Sequence, residues 1–314
     1  MVWDALNAQR RQWTRRHLLG LEDLSARDIH AVLDTAARFK AMSDQELRDH
    51  QPLRGRRVFN FFVEPSTRTK TSFALAARRL GAEVVDFSPS TSSFMKGESL
   101  KDTAKNIEAM GVDTVVIRHP ASGAPYYLST LLKAGVISGG DGAHEHPTQG
   151  LLDIFTILEE RKTIAGLTVA LVGDISYSRV ARSNIHGLIK LGARVIVVGP
   201  PTLIPEDIER LGVTVAHDFD AILPQCDVVM CLRLQLERQQ AGLMPSIQEY
   251  MRLFGLDEER FRRAKPGVIV MHPGPMNRGI ELTSSVADGS RSVILRQVTN
   301  GIAVRMAALF LQAQ

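Results

Sequence analysis

Residues 66–69 (STRT) are the first segment of the chain whose side chains suit chemistry. Three hydroxyl groups and a guanidinium stand between an apolar run at 58–63 and a pattern at 69–80 that predicts a helix. Backbone N–H groups at a helix start lack partners within the helix, and the helix dipole favours an anion there. Arg68 adds a charge-assisted contact suited to phosphate oxygens. The segment predicts a phosphate site, and an ordinary hydroxyl N-cap is the alternative.

Two further segments place polar side chains where ligands bind in parallel sheets. Arg118 follows a predicted strand at 114–117, and such ligands lie beyond the carboxyl ends of the strands. A surface salt bridge is the alternative for this arginine. His146 and Gln149 are three residues apart at a predicted helix start, so they share a face. Residues 144–146 (HEH) also suggest a metal, but no further ligands with zinc spacing follow.

Short apolar runs that alternate with helical patterns must position these side chains. This alternation is typical of βαβ units and a parallel sheet. The pattern starts afresh after a long predicted helix at 147–161. We therefore predict an α/β protein of two doubly wound parallel-sheet domains, residues 1–153 and 154–294, with a C-terminal helix (about 295–314) packing back on the first domain. Predicted strands lie at 58–63, 84–87, 114–117, 136–138, 168–172, 195–198, 214–216, 228–232 and 268–271, and predicted helices at 69–80, 103–110, 126–134, 147–161, 180–191, 205–211, 218–223 and 297–314.

The composition excludes several classes of protein. The 314 residues are 44% hydrophobic and 23% charged, which argues against disorder. Two cysteines exclude a disulfide-stapled scaffold, and no apolar run approaches the ~20 residues of a membrane span. The N-terminus lacks the apolar core of a secretory signal, so we expect a cytoplasmic protein. The net charge of +4 leaves nucleic acid open, with residues 10–16 (RRQWTRR) as the candidate contact, although a solvated helix face explains them better.

The STRT segment resembles the carbamoyl-phosphate motif of the aspartate/ornithine transcarbamoylase family. The resemblance extends in ordered blocks over roughly residues 17–310. The other blocks are KGE with DT (96–103), RHP (118–120), GDG with HPTQ and LLD (140–153), GD with SRV (173–180), LRLQLER (232–238) and HPGP (272–275). The resemblance implies two domains with the active site between them, no cofactor and no metal.

The resemblance also implies a reaction. The carbamoyl group would pass from carbamoyl phosphate to the α-amine of L-aspartate, an early committed step of pyrimidine (UMP) biosynthesis. The ornithine branch carries HCLP and an acidic motif, whereas this chain has HPGP and the cationic segment 232–238. Arginines suit a dicarboxylate and would repel the ornithine ammonium. Transfer to ornithine or acetylornithine remains the first rival; the complete ligand set argues against an inactive relative.

The family's functional residues map onto matching positions of this chain. Carbamoyl-phosphate ligands are implied at Ser66, Thr67, Arg68, Thr69, Ser92, Lys96, Arg118, His146, Gln149, Pro273, Gly274 and Pro275. Aspartate ligands are implied at Lys96, Arg179, Arg233 and Gln235, and Glu98 would orient Arg68. Catalytic roles fall to Arg68, Thr69, Arg118 and His146, which would meet phosphate and oxyanion charge. Gln149 and the carbonyl groups of Pro273 and Gly274 would contact the carbamoyl amino group, and the leaving phosphate would take the amine proton.

The resemblance extends to assembly. The family's catalytic unit is a homotrimer, in which the loop with Ser92 and Lys96 reaches a neighbouring subunit's site. Residues 271–281, with 242–246, resemble the bacterial branch that associates with dihydroorotase or a dihydroorotase-like chain. Three positions depart from the family pattern, namely Pro65, Lys70 and Phe94. Cys226 and Cys231 are expected to be structural thiols, because CxxxxC is no metal spacing.

Overall fold

The structure is a computed structural model that describes residues 2–87, 97–235 and 246–313. Ser92, Lys96 and Phe94 fall outside the described residues, as does segment 236–245. By its internal contacts the chain divides into two compact units. Unit 1 is Met1–Leu151 with Thr299–Gln314, and unit 2 is Leu152–Val298.

Unit 1 is built on a four-stranded parallel sheet of order β2-β1-β3-β4. The central strand RVFNFF is buried from its second residue onward, as expected for a parallel strand covered on both faces. Phe61 packs edge-on against Phe87 at 4.7 Å between ring centroids, within the core of this unit. The strands are β1 (Arg57–Phe62), β2 (Glu83–Asp86), β3 (Thr114–His119) and β4 (Gly135–Asp141).

The helices of unit 1 include three that the sequence patterns did not predict, α1 to α3. Ser25 and Ser43 close capping boxes at the starts of α2 and α3. Leu6 of α1 is fully buried, so this N-terminal helix belongs to the packed unit. The helices are α1 (Val2–Gln12), α2 (Ala26–Ala41), α3 (Asp44–His50), α4 (Thr67–Arg79), α5 (Leu100–Ala109), α6 (Ala124–Leu131) and α7 (Pro147–Arg161), whose last residues belong to unit 2.

Unit 2 contains a five-stranded parallel sheet of order β7-β6-β5-β8-β9. Its strands are β5 (Thr168–Val172), β6 (Arg194–Val198), β7 (Thr214–Ala216), β8 (Val228–Cys231) and β9 (Ile269–Met271). Its helices are α8 (Arg179–Lys190), α9 (Phe219–Ile222), α10 (Ile247–Phe254), α11 (Glu258–Arg262), α12 (Ser284–Ala287) and the start of α13 (Ile294–Gln312). Both parallel sheets were expected from the alternating pattern, and the fold class is confirmed.

One predicted helix, at 205–211, is wrong. The structure has one 3-10 turn in this range, Ile208–Leu211, and another just before it, Pro201–Leu203. Asp207 has a φ of 60°, and a left-handed residue interrupts a right-handed helix.

α13 is long and apolar enough to cross a membrane by length and composition alone, but 72% of its apolar window is buried within the structure. Such burial is typical of a core helix. From Thr299 onward this helix belongs to unit 1. Phe310 shows this packing, since its ring meets Phe39 of α2 edge-on at 5.3 Å.

Candidate functional site

The start of α4 carries the predicted phosphate residues of unit 1. Ser66 occupies the N-cap position, but its side chain makes no capping hydrogen bond, unlike Ser25 and Ser43 at the earlier helices. The first turn of α4 has no acidic residue. Thr69 is buried, whereas Thr67 and Arg68 are exposed. The Ser66 hydroxyl therefore does not act as the ordinary N-cap that was the alternative interpretation. A helix start without a capping side chain suits an anion.

Arg118 lies at the end of β3, beside the residues that follow β1. Its Nη2 donates to Glu64 Oε1 over 2.8 Å, and its Nη1 donates to the Gly139 carbonyl over 3.3 Å. The side chains of Arg118 and Glu64 are 14% and 18% exposed. The pair is thus partly shielded from water, which fixes the direction of the guanidinium more firmly than an exposed pair does.

His146 and Gln149 lie at the start of α7, the helix that follows β4. The carbonyl of His146 accepts from the N–H groups of Gln149 and Gly150 over 2.9 and 3.1 Å. His146 therefore stands at the N-cap position of α7, and both predicted side chains are at least nine-tenths buried. The strands β1, β3 and β4 are neighbours in the parallel sheet of unit 1. The segments that carry Ser66, Arg118 and His146 therefore all lie at the carboxyl edge of that sheet.

A buried carboxylate fastens the loop in front of His146. Glu145 is fully buried, and its two oxygens accept from the N–H groups of Leu21 and Glu22 over 2.7 and 2.9 Å. Ligand atoms of Glu22, His144 and Glu145 lie within 4.8 Å of one another. Both Glu145 oxygens accept hydrogen bonds from backbone N–H groups, so the Glu145 carboxylate holds the loop before His146 to the segment at Leu21 and Glu22.

Two histidines near these segments have shifted pKa values of opposite sign. A hydrogen bond from His144 Nδ1 to Asp141 (3.3 Å) raises the pKa of His144, since the carboxylate favours the charged ring. Burial lowers the pKa of His119. The Nδ1 atom of His119 accepts from the Ala121 N–H over 3.0 Å, which suits a neutral ring.

Glu98 hydrogen-bonds to its own helix region. Its Oε2 accepts from the Thr103 hydroxyl over 3.0 Å, and its Oε1 accepts from Asn106 Nδ2 over 2.7 Å. These bonds fix the carboxylate at the start of α5. The pairing of Glu98 with Arg68 stays a prediction.

The predicted aspartate residues lie in unit 2. Arg179 is the first residue of α8 and is 5% exposed. Arg233 and Gln235 follow β8, the strand adjacent to β5. The backbone N–H of Gln235 donates to Asp174, which follows β5, over 3.3 Å. The segments that carry Arg179 and Arg233 thus follow adjacent strands.

The turn after β9 contains Pro273, Gly274 and Pro275. Gly274 has a φ of 61°, a value that glycine adopts at little cost. The Gly274 N–H donates to Nδ1 of the buried His272 over 2.8 Å. Because β9 neighbours β8, this turn follows the strand beside the one that precedes Arg233.

Several residues around these segments were not foreseen from the sequence. Glu64 and Glu145 hold residues of unit 1, as described above. In unit 2, Glu281 Oε1 accepts from the Leu234 N–H over 3.0 Å and so fixes the segment between Arg233 and Gln235. Asp174 holds the next N–H of that segment. No local pattern predicts which groups these carboxylates hold, because their partners are 47 to 124 residues away.

Each unit carries cationic and polar side chains at the carboxyl edge of a parallel sheet. Unit 1 offers hydroxyls, two guanidinium groups and an imidazole, which suit a phosphate, and unit 2 offers two arginines, which suit carboxylates. No covalent nucleophile is needed for chemistry that rests on orientation and on stabilising an oxyanion. Fold and residues together define an α/β group-transfer protein for small anionic substrates.

Comparison with known proteins identifies the family. Residues 16–159 match the carbamoyl-phosphate-binding domain of aspartate/ornithine carbamoyltransferase, and residues 165–312 match the Asp/Orn-binding domain. The chain therefore belongs to the aspartate/ornithine carbamoyltransferase family.

Individual relatives are similar along nearly the whole chain. An aspartate carbamoyltransferase catalytic subunit from Opitutus terrae is 54% identical over 96% of both chains. The corresponding subunit from Halothermothrix orenii is 56% identical over 95% of this chain and 96% of its own. The crystal structure of aspartate transcarbamoylase from Trypanosoma cruzi with carbamoyl phosphate is 33% identical in sequence and has a TM-score of 0.84. The match covers 94% of this chain and 95% of that one.

Proposed function

We propose that the chain is an aspartate carbamoyltransferase. It transfers the carbamoyl group of carbamoyl phosphate to the α-amine of L-aspartate, giving N-carbamoyl-L-aspartate and phosphate. The observation that supports this most strongly is the pair of arginines, Arg179 and Arg233, in segments that follow the adjacent strands β5 and β8. A cationic pair complements the two carboxylates of aspartate. The relatives of known name, at 54% and 56% identity, point the same way.

The division of labour follows the two units. Unit 1 binds carbamoyl phosphate through the helix start at residues 66–69, Arg118 and His146. Ser92 and Lys96, which lie outside the described residues, are contributed by a neighbouring subunit. Unit 2 binds aspartate through Arg179, Arg233 and Gln235. Matches to a carbamoyl-phosphate-binding and an Asp/Orn-binding domain model support this assignment.

The mechanism relies on charge placed in advance of the reaction. Arg68, Thr69 and Arg118 stabilise the phosphate, and His146 polarises the carbonyl oxygen and stabilises the oxyanion. Gln149 accepts from the amino group of the carbamoyl donor, together with the carbonyl groups of Pro273 and Gly274. The leaving phosphate takes the proton of the attacking amine.

Replacing one arginine of each unit tests the proposed function. We expect Arg68→Ala to lower kcat by about 10²-fold or more, because it removes charge stabilisation at the phosphate. Arg233→Ala should mainly raise KM for aspartate. Arg210→Ala is the matched control, since the Arg210 side chain is 81% exposed and its pair with Asp207 lies at the surface, where such pairs contribute little. Unchanged kinetics in both site variants would refute the assignment.

Assembly and cellular role are further parts of the proposal. We propose a homotrimer with shared sites that acts in the cytoplasm at an early step of pyrimidine biosynthesis. Family membership supports the trimer, and two free, buried cysteines are compatible with a reducing compartment. Light scattering tests the trimer: a fully active monomer would contradict shared sites.

A dihydroorotase or dihydroorotase-like chain is the proposed partner. The support is the resemblance of residues 271–281 to the bacterial branch with such a partner. Sizing with and without a dihydroorotase chain from the same source tests it. A larger complex only in the mixture is expected, and a bare trimer in both samples would contradict the partner.

A further inference from the structure

Buried polar side chains of unit 2 form a hydrogen-bonded chain that ends at the turn after β9. Asp153 on α7, Gln297 on α13 and His272 after β9 are 0%, 2% and 1% exposed. Asp153 Oδ1 accepts from Gln297 Nε2 over 2.8 Å, and Gln297 Oε1 accepts from the His272 N–H over 3.0 Å. Three elements distant in sequence are thereby joined in a dry interior, where such bonds are strong and costly to break.

The last bond of this hydrogen-bonded series fixes the backbone of Gly274. His272 Nδ1 accepts from the Gly274 N–H over 2.8 Å, which assigns the ring proton to Nε2. That Nε2 lies 3.7 Å from Oε2 of the fully buried Glu281. The ring is therefore held through Nδ1, and the Glu281 carboxylate lies near its other edge without a hydrogen bond to it. With its N–H tied to the ring, Gly274 keeps one orientation, and so do the carbonyl groups of Pro273 and Gly274.

Only an amide side chain suits position 297, in the middle of this hydrogen-bonded series. One end of the Gln297 side chain must accept from an N–H, and the other must donate to a carboxylate. A carboxylate at this position would face the Asp153 carboxylate at hydrogen-bond distance. Asp153 is anchored on its other oxygen, which accepts from Asn184 Nδ2 over 2.8 Å. The carboxylate therefore cannot turn away without breaking a second buried bond.

We propose that Gln297 is a positioning residue for carbamoyl transfer. It acts through the backbone of His272 on the Pro273 and Gly274 carbonyl groups, which accept from the amino group of carbamoyl phosphate. This inference rests on the proposed function, because the role assigned to Gln297 is an effect on turnover. A displacement of the turn by about 1 Å lowers turnover by up to about 10²-fold, as for other groups that orient a substrate.

The test reverses the polarity of the central bond. Gln297→Glu places two carboxylates together, whereas Asp153→Asn with Gln297→Glu restores a donor and an acceptor: the introduced amide donates to the introduced carboxylate and still accepts from Asn184. Gln312→Glu is the matched control on the same helix, since Gln312 is 7% exposed and donates to the Arg16 carbonyl over 2.8 Å, far from the turn in sequence. The full chain in its native assembly is used, with steady-state kinetics and thermal unfolding for each variant.

The expected results separate positioning from mere stability. Gln297→Glu should lower kcat about 10- to 100-fold with less than about a threefold change in KM for aspartate. The double variant should return kcat to within about threefold of wild type, because the bond is restored. Gln312→Glu should lower Tm and leave kcat unchanged.

Three outcomes would overturn the inference. The first is a Gln297→Glu variant with wild-type kcat, and the second is a double variant that recovers Tm but not kcat. If Gln297→Glu does not fold, the double variant carries the test: a kcat within about threefold of wild type supports the inference, and any larger loss contradicts it. The third is a wild-type chain that does not carbamoylate aspartate at all, which would instead refute the proposed function and the inference with it.

Discussion

Arg118 Nη2 lies 2.8 Å from Glu64 Oε1, although 54 positions separate the two residues in the chain. Glu64 follows β1 and Arg118 ends β3, and the register of these neighbouring strands sets Phe62 opposite Arg118. Sheet topology thus creates the pair. The carboxylate thereby fixes the direction of the guanidinium at the end of β3.

Removing Glu64 should loosen Arg118. For Glu64→Ala we expect KM for carbamoyl phosphate to rise about three- to tenfold, because binding must then also order the arginine. Glu64→Gln keeps an acceptor and should raise KM less. Glu83→Ala breaks the exposed pair with Arg57 and is the control that should leave KM unchanged. A wild-type KM in Glu64→Ala would show that Arg118 needs no such partner.

Gly20 is the residue that makes room for Glu145. A Cβ at position 20 would lie 2.8 Å from Glu145 Cδ, so Gly20→Ala must displace the carboxylate from the Leu21 and Glu22 N–H groups. We expect a loss of about 2–4 kcal/mol in the free energy of unfolding, from a buried carboxylate and two N–H groups left unpaired.

A double-mutant cycle in urea checks this cause. In a Glu145→Ala background the added methyl group meets no carboxylate, so Gly20→Ala should cost well under half as much there. Equal costs in both backgrounds would mean that Glu145 is not what excludes a side chain at position 20.

The sequence predicted best what depends on local pattern. The bounds of α7 and β5 agree with the predicted 147–161 and 168–172, because long apolar periodicity and a β-rich run leave little ambiguity. At 205–211 the left-handed conformation of Asp207 interrupts the helical pattern. The helices α11 and α12, of five and four residues, are too short for a periodic pattern, whereas the apolar residues 247, 250, 251 and 254 of α10 have helical spacing and could have predicted it.

The residues proposed to touch substrate were predictable from the sequence, whereas the residues that hold them in place were not. Motifs carried the residues proposed to touch substrate, such as Arg118 and His146, because the family resemblance names them. Nothing local predicts the hydrogen-bond partners of Glu145 or Gln297. Their partners lie 124 and 144 residues away and are brought close only by folding.

The stability contribution of His144 should fall as pH rises. Asp141 raises the pKa of His144 in the folded chain, with further help from the charges of Glu145 and Glu22. A raised folded-state pKa means that the stabilisation is complete below the unfolded value of about 6.5 and is lost as pH rises through the folded value. The difference in unfolding free energy between wild type and His144→Gln, measured from pH 5 to 8.5, should therefore shrink with pH.

His17 provides a control of opposite sign. Burial, and then Arg16, lower the pKa of His17, whose Nδ1 accepts from the Val136 N–H over 3.1 Å. Its contribution is present above the unfolded value and is lost as pH falls through the folded value. The difference between wild type and His17→Gln should thus shrink toward low pH. A His144→Gln difference that grows with pH would contradict the assigned Asp141 contact.

Both cysteines should resist modification in the folded chain. Burial raises the pKa of Cys226 to about 12 and raises that of Cys231 further. The thiolate is the reactive form, so neither thiol is activated at neutral pH. We expect no labelling by iodoacetamide at pH 8 on a timescale at which the chain labels twice in urea, as read by intact mass. Rapid single labelling of the folded chain would contradict the packing of β8.

Carbamoyl transfer to aspartate is the central claim, and competition between acceptors measures it most directly. The purified chain is given carbamoyl phosphate with L-aspartate, with L-ornithine, or with both, and the products are identified by mass. We predict N-carbamoyl-L-aspartate at a turnover in the usual enzymatic range of about 1–10³ s⁻¹, and no carbamoylated ornithine above the enzyme-free blank. Carbamoylation of ornithine in preference to aspartate, or of neither, would contradict the account.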